Sequence, residues 1–450
     1  MEWLLDLNHR INAVLWGPLM VGGIIIVGLY LTLLSRGAQF RYFPRMLREL
    51  VGRQPRPAGH EGDVSAFKAL ASAMGGTVGV GNIVGVATAI SLGGPGALLW
   101  MWVSGLVGMC TKMVEVILAV HYRERERRGP MLGGPMRYIT EGMGRRWRWL
   151  AVLFAVFGAL AAFGIGNMVQ ANSVAHGLEQ FGMPRIASGL GLVALVGIVT
   201  IGGIRRLGDV AGVVVPGMIV LYLGGVAVVI AAHLPYVPAA FRTVFTHAFT
   251  PIAAAGGFAG ATVMQAMRFG IARGVFSNEA GLGSAPIVHA AAVTDHPARQ
   301  GLWGIFEVFV DTLVVATATG LAILVTGTWT LGDEGAVVTM RAFDAAFPGG
   351  WGSAVVVLCL GFFAYSTILT WSFYGETCAA YLLGGRIRAL YRLLWLPFVL
   401  VGALGELTPV WAIADTLNAF MAIPNLIALV ALSGVAVRLL RDFGARVPRG

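Results

Sequence analysis

Residues Gly75-Gly-Thr-Val-Gly-Val-Gly-Asn82 put four glycines into eight positions, inside an apolar run from Ala69 to Leu92. A run of that length can span a bilayer as a helix, yet glycine is poorly suited to keeping a helix wound. Backbone that unwinds at membrane depth loses its partners, and lipid supplies none. It must find protein, water, an ion or a solute. The chemistry on offer is binding by bare backbone, with amides for an anion and carbonyls for a cation. A second segment, Gly270-Ile-Ala-Arg-Gly-Val-Phe-Ser-Asn-Glu-Ala-Gly-Leu-Gly283, sets glycines beside Asn278 and Glu279. A plainer reading, that glycines only let helices pack closely, suits Gly93-Gly94 or Gly224-Gly225 better than these two clusters.

The elements that position such segments are membrane spans. The 450 residues are 57% hydrophobic and 12% charged, with a mean hydropathy of +0.77. Soluble domains carry roughly twice that charge. The net charge of +10 sits in short loops between apolar runs, which is the imprint of membrane insertion rather than a nucleic-acid-binding face. Cys110, Cys359 and Cys378 lie in apolar segments without metal-ligand spacing and read as inert thiols. The run from Trp16 to Leu34 is too long for a signal-peptide core and reads as a retained helix.

The pattern predicts an all-α polytopic membrane protein of about eleven spans in one transporter domain, 1–450. They lie near 17–36, 66–92, 95–122, 148–179, 186–204, 210–232, 253–282, 300–327, 350–378, 389–407 and 411–437. After the extra N-terminal helix at 17–36, the rest divides five plus five, as 66–232 and 253–437. The first helix of each set is discontinuous, and the sets begin on opposite sides. That is the sequence sign of an inverted-repeat transporter. Arginines mark alternate connectors: Arg36, Arg41, Arg45, Arg48, Arg53 and Arg56; Arg123, Arg125, Arg127 and Arg128; Arg145, Arg146 and Arg148; Arg205 and Arg206; Arg386, Arg388 and Arg392; and the tail through Arg449. The positive-inside rule then puts the N-terminus outside and the C-terminus in the cytoplasm, with the chain in the cytoplasmic (inner) membrane. Residues 129–143 read as a Gly/Pro-rich cytoplasmic hairpin, and 234–251 and 328–349 as outer connectors.

The stretch from Gly81 to Trp102 resembles the signature of the alanine or glycine:cation symporter family, the sodium:alanine symporters. Gly164-Ile-Gly-Asn-Met-Val-Gln-Ala-Asn172, Phe276-Ser-Asn-Glu-Ala-Gly-Leu-Gly-Ser-Ala-Pro286 and Ser366-Thr-Ile-Leu-Thr-Trp-Ser-Phe-Tyr-Gly-Glu376 agree with it and run in the family's order. The resemblance implies a leucine-transporter-type fold and sodium-driven uptake of small neutral amino acids, alanine or glycine. It implies no cofactor beyond sodium as the coupling ion. Gly79, Val80 and Gly81 are then candidates to receive the substrate carboxylate at a helix start. Thr77, Phe276, Ser277 and Asn278 are candidates around its ammonium group. Phe163, Asn167 and Gln170 fall at helical spacing on one face; for Gln170 an interhelical hydrogen bond is the alternative. Thr367 and Trp371 share a face, and the tryptophan would floor the pocket and exclude long side chains. By analogy with the wider fold, the carbonyls of Gly75, Val78 and Ala364 and the Thr367 hydroxyl would hold sodium. Asn82 would hold a second ion or cap the half-helix.

Other charges within the spans have to be paired or functional. Lys68 can snorkel. Lys112 and Glu115 are spaced to pair with each other. Glu279 is placed to fix the second break. Arg273 with Glu279 or Asp311 would form a gate. His289 and His296 read as solvated loop residues. No nucleophile–base pair, metal cluster or P-loop is present in the sequence, which leaves an enzyme or an ATP-driven pump without machinery. Proton coupling through a buried carboxylate is the alternative to sodium.

Overall fold

The computed structural model describes residues 2–52, 61–126, 129–253, 256 and 258–446. Arg53, Arg56, Arg127, Arg128 and Arg449 lie outside the described residues. Helices make up most of the rest. α1 (Glu2–Leu15) and α2 (Pro18–Leu34) are followed by α3 (Ala66–Thr77) and α4 (Val86–Gly93), which a π-helical turn over Gly81–Gly85 joins. Next come α5 (Ala97–His121), α6 (Arg148–Phe163), α7 (Val169–Glu179), α8 (Arg185–Thr200) and α9 (Gly203–Ala232). The last set is α10 (Val263–Asn278), α11 (Pro297–Val308), α12 (Thr317–Thr326), α13 (Trp351–Leu383), α14 (Ile387–Leu404) and α15 (Leu407–Arg446).

Among the described residues, seven helical runs are long and apolar enough to cross a membrane, or eight when α3 and α4, bent by 46°, count as one span. Helices α2, α8 and α10 lie on the first, fifth and seventh expected spans but are shorter. The helix over residues 2–15 was not expected from the sequence. α10 starts ten residues later than the expected 253, because Thr262 and Gln265 form a reciprocal capping box there (2.8 and 3.2 Å).

The first discontinuity exists and is narrower than its glycine cluster; in the second segment the helix itself is unbroken and ends late in the cluster. The first helix continues through Gly75 and Gly76 to Thr77, and only residues 78–80 leave it. Gly75 and Gly76 therefore serve packing: a Cβ on Gly76 would lie 3.1 Å from Thr370 and from the Tyr374 hydroxyl. The second helix runs through Gly270 and Gly274 and stops at Asn278. Glu279 (φ 55°), Gly281 (φ 92°) and Gly283 (φ 81°) then turn the chain in the left-handed region. Short strand pairs tie down the connectors: Val64–Ser65 runs parallel to Ala292–Val293, and Glu124–Arg125 antiparallel to Met131–Leu132. The 129–143 hairpin is not a protruding loop, since Met131 to Met136 are buried.

Candidate functional site

Three π-helical turns meet the breaks: Gly81–Gly85, Gly164–Met168 and Phe309–Ala316. Each widens its helix by one residue and redirects the side chains that follow, a device common at functional sites. They carry Asn82, Gly166 and Asp311. The helix start after the first break and the end of α10 touch at Gly81, where a Cβ would lie 3.1 Å from Ser277 Cα and 3.3 Å from the Phe276 ring. Gly79 faces Thr367 in the same way, at 2.5 Å from its hydroxyl oxygen.

Hydrogen bonds converge on this point. The Gly79 amide donates to Asn82 Oδ1 (2.9 Å) and the Val80 amide to Gln170 Oε1 (3.3 Å). Thr367 Oγ1 donates to the carbonyls of Gly75 (3.0 Å) and Phe363 (2.9 Å), bridging the first broken span to α13. Asp311 ties the breaks together. Its Oδ1 accepts from Asn82 Nδ2 (2.8 Å) and Ser277 Oγ (2.9 Å), and its Oδ2 from Thr312 Oγ1 (2.8 Å), which in turn accepts from Asn278 (3.1 Å). Its carboxylate is fully buried and forms no ion pair among the described residues.

The structure thus brings together Gly79, Val80, Gly81, Gln170, Phe276, Ser277, Asn278 and Thr367, with Gly75, Val78 and Asn82 alongside. Trp371 is next to them: it packs on Gly166, where a Cβ would lie 2.1 Å from its own, and its indole N–H donates to Glu279 Oε1 (2.7 Å). Ala364 sits within the unbroken α13, where its carbonyl serves the helix ladder as well. Thr77 turns its hydroxyl back onto the carbonyls of Ala73 and Met74.

Phe163 and Asn167 are corrections. Phe163 packs against Tyr391, Trp395 and Phe398, with ring centroids 4.6–5.2 Å apart, and Asn167 donates to the Trp395 carbonyl (2.9 Å). Both face α14. The π turn over Gly164–Met168, which follows Phe163 and holds Asn167 itself, breaks the helical spacing that suggested a shared face with Gln170. Asp311 is the residue that sequence reasoning left outside the site. Its one signal was an acid within an apolar run.

Other pairings also differ from expectation. Lys112 lies 3.3 Å from Glu307, not on Glu115, and both side chains are fully buried. Glu115 instead accepts the amides of Gly281 and Gly283 (3.1 Å each) and the Asn425 side chain (2.6 Å), while Tyr138 of the hairpin donates to Asn425 Oδ1. His289 is buried against Glu307 (2.9 Å), and His296 meets Asp442 (3.2 Å). Glu279 closes on Ser284 Oγ (2.5 Å). Lys68 pairs with Asp209 near the surface.

Arg273 binds neither Glu279 nor Asp311. Its guanidinium grips Asp415 with two bonds (3.1 and 2.7 Å) and lies over the rings of Phe276 and Trp411, themselves stacked at 4.9 Å. α1 and the link after it brace this cluster: Asn12 donates to the Ala412 carbonyl (3.2 Å), and Trp16 to that of Asp415 (2.8 Å). Above it, at the end poor in arginine, a cavity of about 380 Å³ is lined by Thr88, Arg273, Glu334, Trp411 and Asp415. Removing the charge pair with Arg273→Gln is expected to speed release of a bound solute toward that cavity roughly tenfold, the worth of one charged hydrogen bond. Filter-based exchange of a labelled solute checks it, and an unchanged rate shows that the Arg273–Asp415 pair does not control release.

A model of the Sodium:alanine symporter family matches residues 1–450. The sodium/alanine symporter AgcS of Methanococcus maripaludis is 45% identical over 97% of this chain and 97% of its own. A putative sodium/proton-dependent alanine carrier protein of Bacillus subtilis, YrbD, is 35% identical over 99% of this chain and 93% of its own. A solved structure of MhsT in complex with L-phenylalanine superposes with a TM-score of 0.55 over 85% of this chain and 99% of that one, at 14% identity, which establishes a shared fold.

Proposed function

The chain belongs to the sodium:alanine symporter family, and on that premise we propose that it takes up a small neutral amino acid, alanine or glycine, driven by inward sodium flow. It is a multi-pass membrane transporter, not an enzyme. The observation that carries the reading is the buried junction where Gly81 meets Ser277. Two helix ends, one just past the first break and one just before the turn at Glu279, bring their backbones to one point there, flanked by Gln170 and Thr367. A helix start at Gly81 suits a carboxylate. Trp371, fixed by Glu279 and backed onto Gly166, limits the side chain by volume.

One sodium position lies where Gly75 and Thr367 meet, with Val78 and Ala364 completing it. A second lies at Asn82, where Asp311 supplies an uncompensated negative charge. The two breaks, one in each half, support the five-plus-five inverted repeat of 66–232 and 253–437. The arginine pattern supports the inner membrane, with the N-terminus outside.

Proton coupling is the second reading, favoured by the same Asp311: a buried carboxylate without a cation partner either binds one or is protonated. Counterflow of labelled alanine in proteoliposomes, with sodium replaced by choline at constant pH, separates the two. Loss of counterflow supports sodium, and retention that varies with pH supports the proton. A protein that equilibrates alanine but never concentrates it under either gradient is no symporter.

A further inference from the structure

A cavity of about 700 Å³ opens at the arginine-rich end of the bundle, lined by Glu126, Arg137, Thr140, Arg145, Arg148 and Tyr381 among others. The carboxylates beside it are already engaged. Glu124 takes Arg137 (2.5 Å), and Glu126 takes Arg388 (3.2 Å). Arg145 and Arg148 have no carboxylate partner among the described residues, and Arg137 Nε is buried without a hydrogen bond. Arg145 begins the short turn Arg145–Trp147, and Arg148 begins α6. Cations are disfavoured at a helix N-terminus, where orphan amides already present positive charge. The positive-inside rule explains positive charge at this end, but not its convergence on one cavity.

The surroundings point to lipid. Trp147 and Trp149 flank Arg148 with their rings stacked at 6.1 Å, and Trp149 is 56% exposed. Tryptophan so placed marks the headgroup level of a bilayer. From Trp149 an exposed stripe runs along one face of α6 through Leu153 to Leu160. A soluble phosphate would leave that stripe unused, whereas acyl chains would cover it.

We infer that this cavity binds the phosphate of an anionic phospholipid. Arg145 and Arg148 meet the charge. Thr140 and Tyr381 are committed to each other (2.7 Å), and Thr140 also to the Met136 carbonyl (2.8 Å), so that they form a neutral wall, and the acyl chains lie along the Trp149–Leu160 stripe. The site is independent of the transported solute, and so is its test.

The full chain in neutral detergent is titrated with phosphatidylglycerol, with phosphatidylcholine and with inorganic phosphate, and its thermal midpoint is followed. Only phosphatidylglycerol is expected to raise the midpoint. Arg145→Gln with Arg148→Gln should weaken that response roughly twenty-five-fold, at about fivefold for each surface arginine. Arg438→Gln with Arg441→Gln removes the same charge at the same end and should leave the response unchanged. Arg145→Gln alone, at an exposed position, carries the fivefold loss if the double variant fails to fold. An equal response to phosphatidylcholine or to inorganic phosphate, or an equal loss in the control variant, overturns the site.

Discussion

Gly81→Leu is expected to abolish alanine binding while the protein still inserts and folds. A Cβ at this position would already sit 3.1 Å from Ser277 Cα and 3.2 Å from its Cβ. The first of these is backbone, which cannot swing aside as a flexible side chain would. Leucine adds three more carbons where the helix start at Gly81 meets the end of α10. Local overpacking costs about 1–3 kcal/mol, which a protein of this size tolerates. The ligand does not tolerate it, because a displacement of about 1 Å at a binding centre is worth roughly a hundredfold. Counterflow should therefore fall by at least that factor, with the size-exclusion profile unchanged and Gly81→Ala intermediate. Normal alanine affinity in Gly81→Leu would refute the carboxylate cradle.

Asp311 supports the second large effect. Asp311→Leu removes the acceptor shared by Asn82, Ser277 and Thr312. Each buried donor left without a partner costs about 1–3 kcal/mol, so the two breaks should lose their common anchor and transport should disappear. Asp311→Asn keeps the shape and one acceptor but removes the charge. If Asp311 balances a sodium ion at Asn82, this variant needs at least roughly ten times more sodium for half-maximal counterflow, a change of about 1.4 kcal/mol. If it carries the coupling proton, the variant instead loses the pH dependence of sodium-free uptake. Wild-type dependence on both ions would remove Asp311 from the coupling site.

The features legible in the sequence are local ones. A bilayer-length apolar run, a glycine cluster inside it and arginines in alternate connectors all lie within a few tens of residues, so composition and spacing expose them. Glycine density located the first break to within about a turn, since helix propensity is a property of the segment itself, and marked the region in which α10 ends. It did not place their edges. Packing against Thr370 and Tyr374 keeps Gly75 and Gly76 helical, and the turn at Glu279 comes after the glycines at 270 and 274.

Only the tertiary structure decided which side chains meet. Asn82 and Asp311 are 229 positions apart and Arg273 and Asp415 142, distances over which no periodicity carries information. Charge spacing along one helix suggested Lys112 with Glu115, but in a buried bundle the nearer partners come from other helices, Glu307 for the one and the amides of Gly281 and Gly283 for the other. Phe163 and Asn167 were misplaced for a related reason. One residue inserted by a π turn rotates everything beyond it by about 100°, and a sequence does not announce where that residue goes. Segment chemistry set the breaks and the membrane; the phase and docking of the helices chose what faces them.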